Sequence, residues 1–145
     1  MKKITPVCAL LSLICSFNAS AEWTGDNQSG YYKFIVISDL HVGQVGGGAY
    51  FCIKLVNAAD RDPITPVTMC SVSNQSVWAS SFKVLQEQAR YFYATGQTVM
   101  AYYRTNNWTY KPFLDTFSNK VLTGFSTCSA KECFGPTPIS KMRVE

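Results

Sequence analysis

Hydrophobic positions recur at helical spacing in one long stretch, residues 80–96; elsewhere they alternate or run in short apolar blocks. At 100° per residue Phe82, Leu85, Ala89, Phe92 and Tyr93 share one stripe, predicting a helix with that face against the domain core. Ser80 and Ser81 stand where an N-cap oxygen accepts a first-turn N–H, and Gly96 suits the left-handed residue that ends a helix. Val84 and Tyr91 point away from the stripe, with Lys83, Glu87 and Arg90 along a flank. A helix apolar on two sides is either deeply buried or touches a second chain, so residues 83–91 are the candidate oligomer face.

The remaining elements read as strands. Residues 31–42 are β-branched and aromatic, with Phe34, Val36, Ser38 and Leu40 expected on one face and Lys33, Ile35, Ile37 and Asp39 on the other. Glycines at 43–48 predict a turn, residues 49–56 a second strand, the polar stretch 57–63 a loop, and residues 65–72 a third strand. After the helix, residues 97–104 predict a fourth strand, 105–107 a turn, Pro112 a break, 113–118 a short helical turn, and 120–127 a fifth strand. Three strands, a helix and two strands is the element order of an OB-fold: all-β with one helix, a five-stranded Greek-key barrel whose helix plugs one end.

Composition adds an address. Lys2 and Lys3, an apolar run from Val7 to Phe17, and Ala19-Ser20-Ala21 form the pattern of a cleaved secretory signal over residues 1–21, leaving a single domain at 22–145. That remainder has 11 basic and 9 acidic residues, a net charge of about +2, which gives no footprint for nucleic acid or an anionic membrane. It keeps Cys52, Cys70, Cys128 and Cys133, an even count that in an exported chain reads as two disulfides. Four cysteines permit three pairings; nearest neighbours, Cys52–Cys70 and Cys128–Cys133, are expected.

Catalytic signals are missing. The single histidine, His41, has no nucleophile motif beside it and reads as structural or exposed. No nucleophile elbow, metal-spaced cluster or phosphate loop occurs, so no catalytic residue, metal or cofactor is assigned. Amphipathic rings are abundant instead: Tyr31, Tyr32, Tyr50, Tyr102, Tyr103, Trp108 and Tyr110. Such rings serve as core filler or stack on sugars while their polar atoms bond sugar hydroxyls.

A resemblance runs along nearly the whole of residues 22–145. Glu22-Trp-Thr-Gly-Asp26, His41-Val-Gly-Gln44, Tyr50-Phe-Cys-Ile53, Ser76-Val-Trp78, Ala89-Arg-Tyr-Phe-Tyr93, Thr95-Gly-Gln97, Trp108-Thr-Tyr110 and Cys133-Phe-Gly-Pro136 stand in order. They resemble the B subunits of subtilase cytotoxin and typhoid toxin, pertussis-like bacterial toxins. The resemblance implies a secreted OB-fold homopentamer, with the helix around a central pore and Lys83, Val84, Glu87, Arg90 and Tyr91 at the pore or the subunit contacts. It implies binding of sialylated host glycoproteins or glycolipids and docking of a separate catalytic A subunit at the pore. The other reading is a pentameric docking scaffold whose altered sugar site reads unsialylated glycan or protein.

Carried over residue by residue, the implied sugar pocket comprises Tyr31, Lys33, Thr65 and Tyr103. Tyr103 falls where the subtilase cytotoxin subunit uses a tyrosine on the extra hydroxyl of N-glycolylneuraminic acid. Two positions depart: Lys33 stands in place of a serine beside the sialate carboxylate, and Met100 in place of an arginine. The loop between Cys52 and Cys70 is about two residues longer than in the typhoid counterpart. A lysine at 33 either pairs with the carboxylate or fills the space that serine leaves open.

Overall fold

The computed structural model describes residues 30–58, 65–74, 79–105 and 108–137. The expected leader, the stretch 22–29 with Trp23, the string 76–78 and most of the turns predicted over 57–63 and 105–107 lie outside the described residues. Five strands close a barrel in the order β1 (Gly30–Val45), β2 (Gly48–Asn57), β3 (Val67–Val72), β5 (Lys120–Thr127), β4 (Val99–Thr105) and back to β1. All pairings are antiparallel except β3 with β5, where Cys70 meets Val121. This is the Greek-key barrel expected from the element order.

Closure depends on β1, whose first residues pair with β4 and whose remainder pairs with β2. To serve both neighbours it bends twice, with register shifts between Tyr32 and Ile35 and between Ile37 and Asp39. Phe34 takes φ 54° at the first bend, a strained conformation for a bulky residue, while its carbonyl accepts the Ala58 N–H at 2.9 Å. The alternation predicted for this strand therefore holds only in part. Ile35 and Ile37 share the buried face, but beyond the second shift Leu40 packs against the same core, on the side where plain alternation puts Asp39.

The barrel interior is filled by Ile35, Ile37, Phe51, Ile53, Leu55, Met69, Val99, Ala101 and Leu122. Helix α1 (Phe82–Thr95) joins the end of β3 to the start of β4 and seals the mouth there with Leu85, Ala89 and Phe92. Two expectations for α1 are corrected. Ser81 makes no side-chain capping bond, because a 3-10 turn at Ala79–Ser81 leads in and holds it in helical φ/ψ. Tyr93, at the edge of the predicted stripe, is 48% exposed. Gly96 ends the helix as predicted, at φ 66° with its N–H on the Phe92 carbonyl.

A second cluster lies outside the barrel, where Trp108, just before α2 (Lys111–Thr116), and Phe113 within it cover Tyr50, Val72 and the Cys52–Cys70 bridge. Pro112 does not break the chain as expected; it occupies the first turn of α2, where a missing N–H costs nothing. The Cys52–Cys70 bridge joins residues directly opposite each other on β2 and β3. A second bridge, Cys128–Cys133, clasps a short loop after β5.

The turn predicted over 43–48 is confined to Gly46 and Gly47, both at positive φ as a two-residue type I′ hairpin requires. Gly43 stays in β1 for a different reason. A Cβ there would come within 2.8 Å of the Tyr50 ring, whose hydroxyl lies 3.0 Å from His41 Nε2. Gly43→Val is expected to destabilise the fold by about 1–3 kcal/mol through overpacking. A lower urea midpoint at unchanged slope would show it; an unchanged midpoint would mean Tyr50 swings aside freely.

Candidate functional site

Since α1 closes the mouth formed by the end of β3 and the start of β4, the opposite mouth is ringed by the start of β1, the end of β2, the starts of β3 and β5 and the end of β4. All four sequence-predicted pocket residues come to this end. Tyr31 and Lys33 lie on β1, Thr65 two residues before β3, and Tyr103 near the end of β4.

Strand alternation divides them between the two faces of one wall. Tyr31 stands opposite Tyr102 on the outer face, with ring centroids 6.2 Å apart. Lys33 is exposed on that side, its ammonium 5.4 Å from the centre of the Tyr31 ring. Beneath them Tyr102 is fully buried and donates to the Pro136 carbonyl at 2.8 Å, so the clasped segment after β5 backs the outer patch. Burial pushes the Tyr102 phenol up, against the lowering effect of its Ser126 hydrogen bond, and it stays a neutral donor.

On the inner face Tyr103 lies opposite Gly30 and stacks on Tyr32, with centroids 5.4 Å apart at 22°. Lys120, the first residue of β5, holds its ammonium 5.6 Å from the Tyr103 ring centre. A Cβ at Gly30 would lie 2.8 Å from the Tyr103 hydroxyl, so glycine at the rim is what lets the ring settle there. Burial, and then the neighbouring Tyr103, raise the pKa of Tyr32. With its ring engaged by Tyr32 and Lys120, Tyr103 has little free face, and its hydroxyl lies close to Gly30 and Tyr32.

The structure thus joins Tyr31 with Lys33 and places Tyr103 across the wall from them. Thr65 is exposed at the same end, but no hydrogen bond among the described residues links it to the other three. Met100 is fully buried, which removes that position from any ligand contact. Sequence reasoning missed Lys120, because only the β4–β5 register brings it to Tyr103; the doubled tyrosines 31–32 and 102–103 were the available hint of a two-faced wall. Of the other aromatic candidates, Tyr50 and Trp108 are core.

The residues expected at the pore or subunit contacts, Lys83, Val84, Glu87, Arg90 and Tyr91, are all exposed on α1, Val84 by 62% and Tyr91 by 57%. Between α1 and Leu40 of β1 runs an open groove of about 540 Å³ that includes Glu87, Arg90, Tyr91 and Tyr93. The helix face and the tyrosine wall therefore lie at different ends of the barrel.

No protein-family model matches the chain. It is 44% identical over 132 residues to the B component of Escherichia coli subtilase cytotoxin, across 90% of this chain and 91% of that protein. A variant Salmonella typhi PltB homopentamer with Neu5Ac-alpha-2-3-Gal-beta-1-4-GlcNAc glycans is similar at a TM-score of 0.75 and 55% identity, covering 80% of this chain and 99% of that one. An E. coli AB5 toxin structure with Neu5Gc-2,3Gal-1,3GlcNAc matches at 0.73 and 43% identity, over 81% and 97% of the two chains. A structure of the subtilase cytotoxin SubAB assembly matches at 0.69 and 43%, over 79% and 100%.

Proposed function

Since the chain belongs to the family of AB5 toxin B subunits, we propose that it is the receptor-binding component of such a toxin. It is exported after loss of residues 1–21, assembles as a homopentamer through the exposed face of α1, and docks a catalytic A subunit. It performs no catalysis itself. Its ligands are sialylated glycans on host cells, bound at the barrel end that carries Tyr31, Lys33, Thr65 and Tyr103. The observation that carries this reading is the exposed Lys33 ammonium laid against Tyr31, a cation and an amphipathic ring on one patch. A sialate has the matching parts, a carboxylate beside a sugar face.

Glycan binding before and after sialidase treatment, on protein shown by sedimentation to be a ring, tests the proposal. Loss of binding after sialidase supports it; equal binding before and after overturns the sialate part. Within this reading the Tyr103 hydroxyl recognises the additional hydroxyl of an N-glycolyl group. Tyr103→Phe is expected to reduce the preference for N-glycolyl over N-acetyl glycans by about fivefold, the worth of one neutral hydrogen bond. N-acetyl binding should stay the same, and a preserved ratio would remove Tyr103 from that role.

A further inference from the structure

The segment after β5 turns back over the outer face of the tyrosine wall and is held there at several points. Cys128 and Cys133 are bonded and also meet as a short backbone bridge. The Phe134 N–H then donates to the Thr127 carbonyl at 2.9 Å, and the Pro136 carbonyl accepts the Tyr102 hydroxyl at 2.8 Å. Between them Gly135 lies so close that a Cβ would collide with the Ser126 and Tyr102 hydroxyls. Met100 and Tyr102 are fully buried although neither belongs to the cluster that fills the barrel. Tyr102 in turn stands opposite Tyr31, ring to ring at 6.2 Å, and Tyr31 carries the Lys33 ammonium at 5.4 Å. Tyr31 is only half-buried, so what its ring rests on sets its angle.

The two disulfides differ in access. Cys52 and Cys70 are buried, beneath Trp108 and Phe113, whereas Cys128 and Cys133 are half-buried near the surface. The more exposed bridge is the one that a thiol reaches. We infer that Tyr102 is a positioning residue for glycan recognition: through it the clasped segment 128–136 fixes the Tyr31 ring against which Lys33 is laid. The inference rests on the proposed glycan-binding reading and adds no ligand contact, since Tyr102 acts through Tyr31 and stays covered. Its consequence is coupling. A closed clasp that favours glycan binding is itself favoured by bound glycan, by the same factor.

The test uses the purified assembly, a soluble sialylated trisaccharide and a dithiol reductant. One thiolate of the dithiol attacks a sulfur of the Cys128–Cys133 bridge and its second thiolate resolves the mixed disulfide. The protein gains two thiols as the reagent closes to a cyclic disulfide. Graded ratios of the dithiol to its disulfide, with trapped thiols read by mass spectrometry, give the equilibrium of this bridge while Cys52–Cys70 stays intact. The clasp-reduced protein is expected to bind the trisaccharide about fivefold more weakly than the oxidised protein, the worth of one neutral hydrogen bond. Saturating trisaccharide should then shift the bridge equilibrium about fivefold toward the disulfide. Tyr102→Phe keeps the aromatic ring and removes the hydroxyl. It should weaken binding by a similar factor and abolish the shift, which lost stability alone would not do. Equal affinity of the oxidised and clasp-reduced forms overturns the inference. So does a shift that survives Tyr102→Phe at saturation, because the glycan would then act on the clasp directly. If Tyr102→Phe fails to assemble, the comparison of the two redox forms of the parent decides. A parent protein that binds no trisaccharide in either form refutes the glycan reading itself, and the positioning role falls with it.

Discussion

A Tyr91→Glu variant is expected to sediment as a monomer and to lose binding to a densely sialylated surface by roughly 10²- to 10⁴-fold, the gain that multivalency supplies. Its affinity for a soluble monovalent glycan should be unchanged. Tyr91 is 57% exposed on the side of α1 away from the barrel core, one turn after Glu87 and beside the groove that reaches Leu40. A helix of 14 residues that buries Leu85, Ala89 and Phe92 against its own barrel gains nothing there from an exposed Val84 and Tyr91. Contact with a neighbouring protomer is the role that Tyr91→Glu tests.

Glutamate at 91 removes the aromatic contact and places a second carboxylate four residues from Glu87. Burying that charge without a partner costs several kcal/mol at each contact, and a closed ring repeats the cost five times. The barrel core lies on the other side of the helix, so the monomer should keep its thermal stability. The paired readouts separate assembly from recognition, since the tyrosine wall lies at the far mouth. A ring that persists with Tyr91→Glu would move the contact between protomers off this face of α1.

How much of this could be read from residues alone follows from which interactions are local. The core stripe of α1 and the glycine at its end were legible because helical spacing and a left-handed terminus are set within a few turns. The span of β5 was legible for a similar reason, as an apolar block with clear ends. The path of β1 was not. A strand that pairs with two neighbours must bend, and the bend sits at Phe34, a residue type that gives no hint of positive φ. That bend also hides which side chains share a face, so plain alternation sets Leu40 away from the core it joins. The pocket suffers the same loss. Tyr31 and Tyr103 look like members of one patch along the chain, whereas strand alternation sets them on opposite faces, each with its own lysine. Register, a non-local property, decides what composition and spacing leave open.

Lys33→Ala is expected to weaken binding to a monovalent sialylated glycan by roughly 10-fold or more, the scale of one charge-assisted hydrogen bond. On a multivalent surface the loss compounds over the ring until binding is abolished. The expectation rests on where the ammonium goes. It lies over the Tyr31 ring on an exposed residue at the surface, where a ligand's carboxylate can meet it. Lys33→Arg should retain binding, because a guanidinium also donates to a carboxylate and packs on a ring. Raising salt should weaken the parent more than Lys33→Ala, since an exposed charged contact is screened. Lys33→Ser separates the two roles that a lysine can play here. If the ammonium holds the carboxylate, serine supplies a neutral hydroxyl and binding falls, though less than with alanine. If instead the stem of Lys33 obstructs the sugar, serine opens the space and binding rises above the parent. An increase with Lys33→Ser would therefore overturn the role assigned to the ammonium while leaving the barrel end as the site, whereas unchanged affinity in all three variants would place sialate recognition elsewhere.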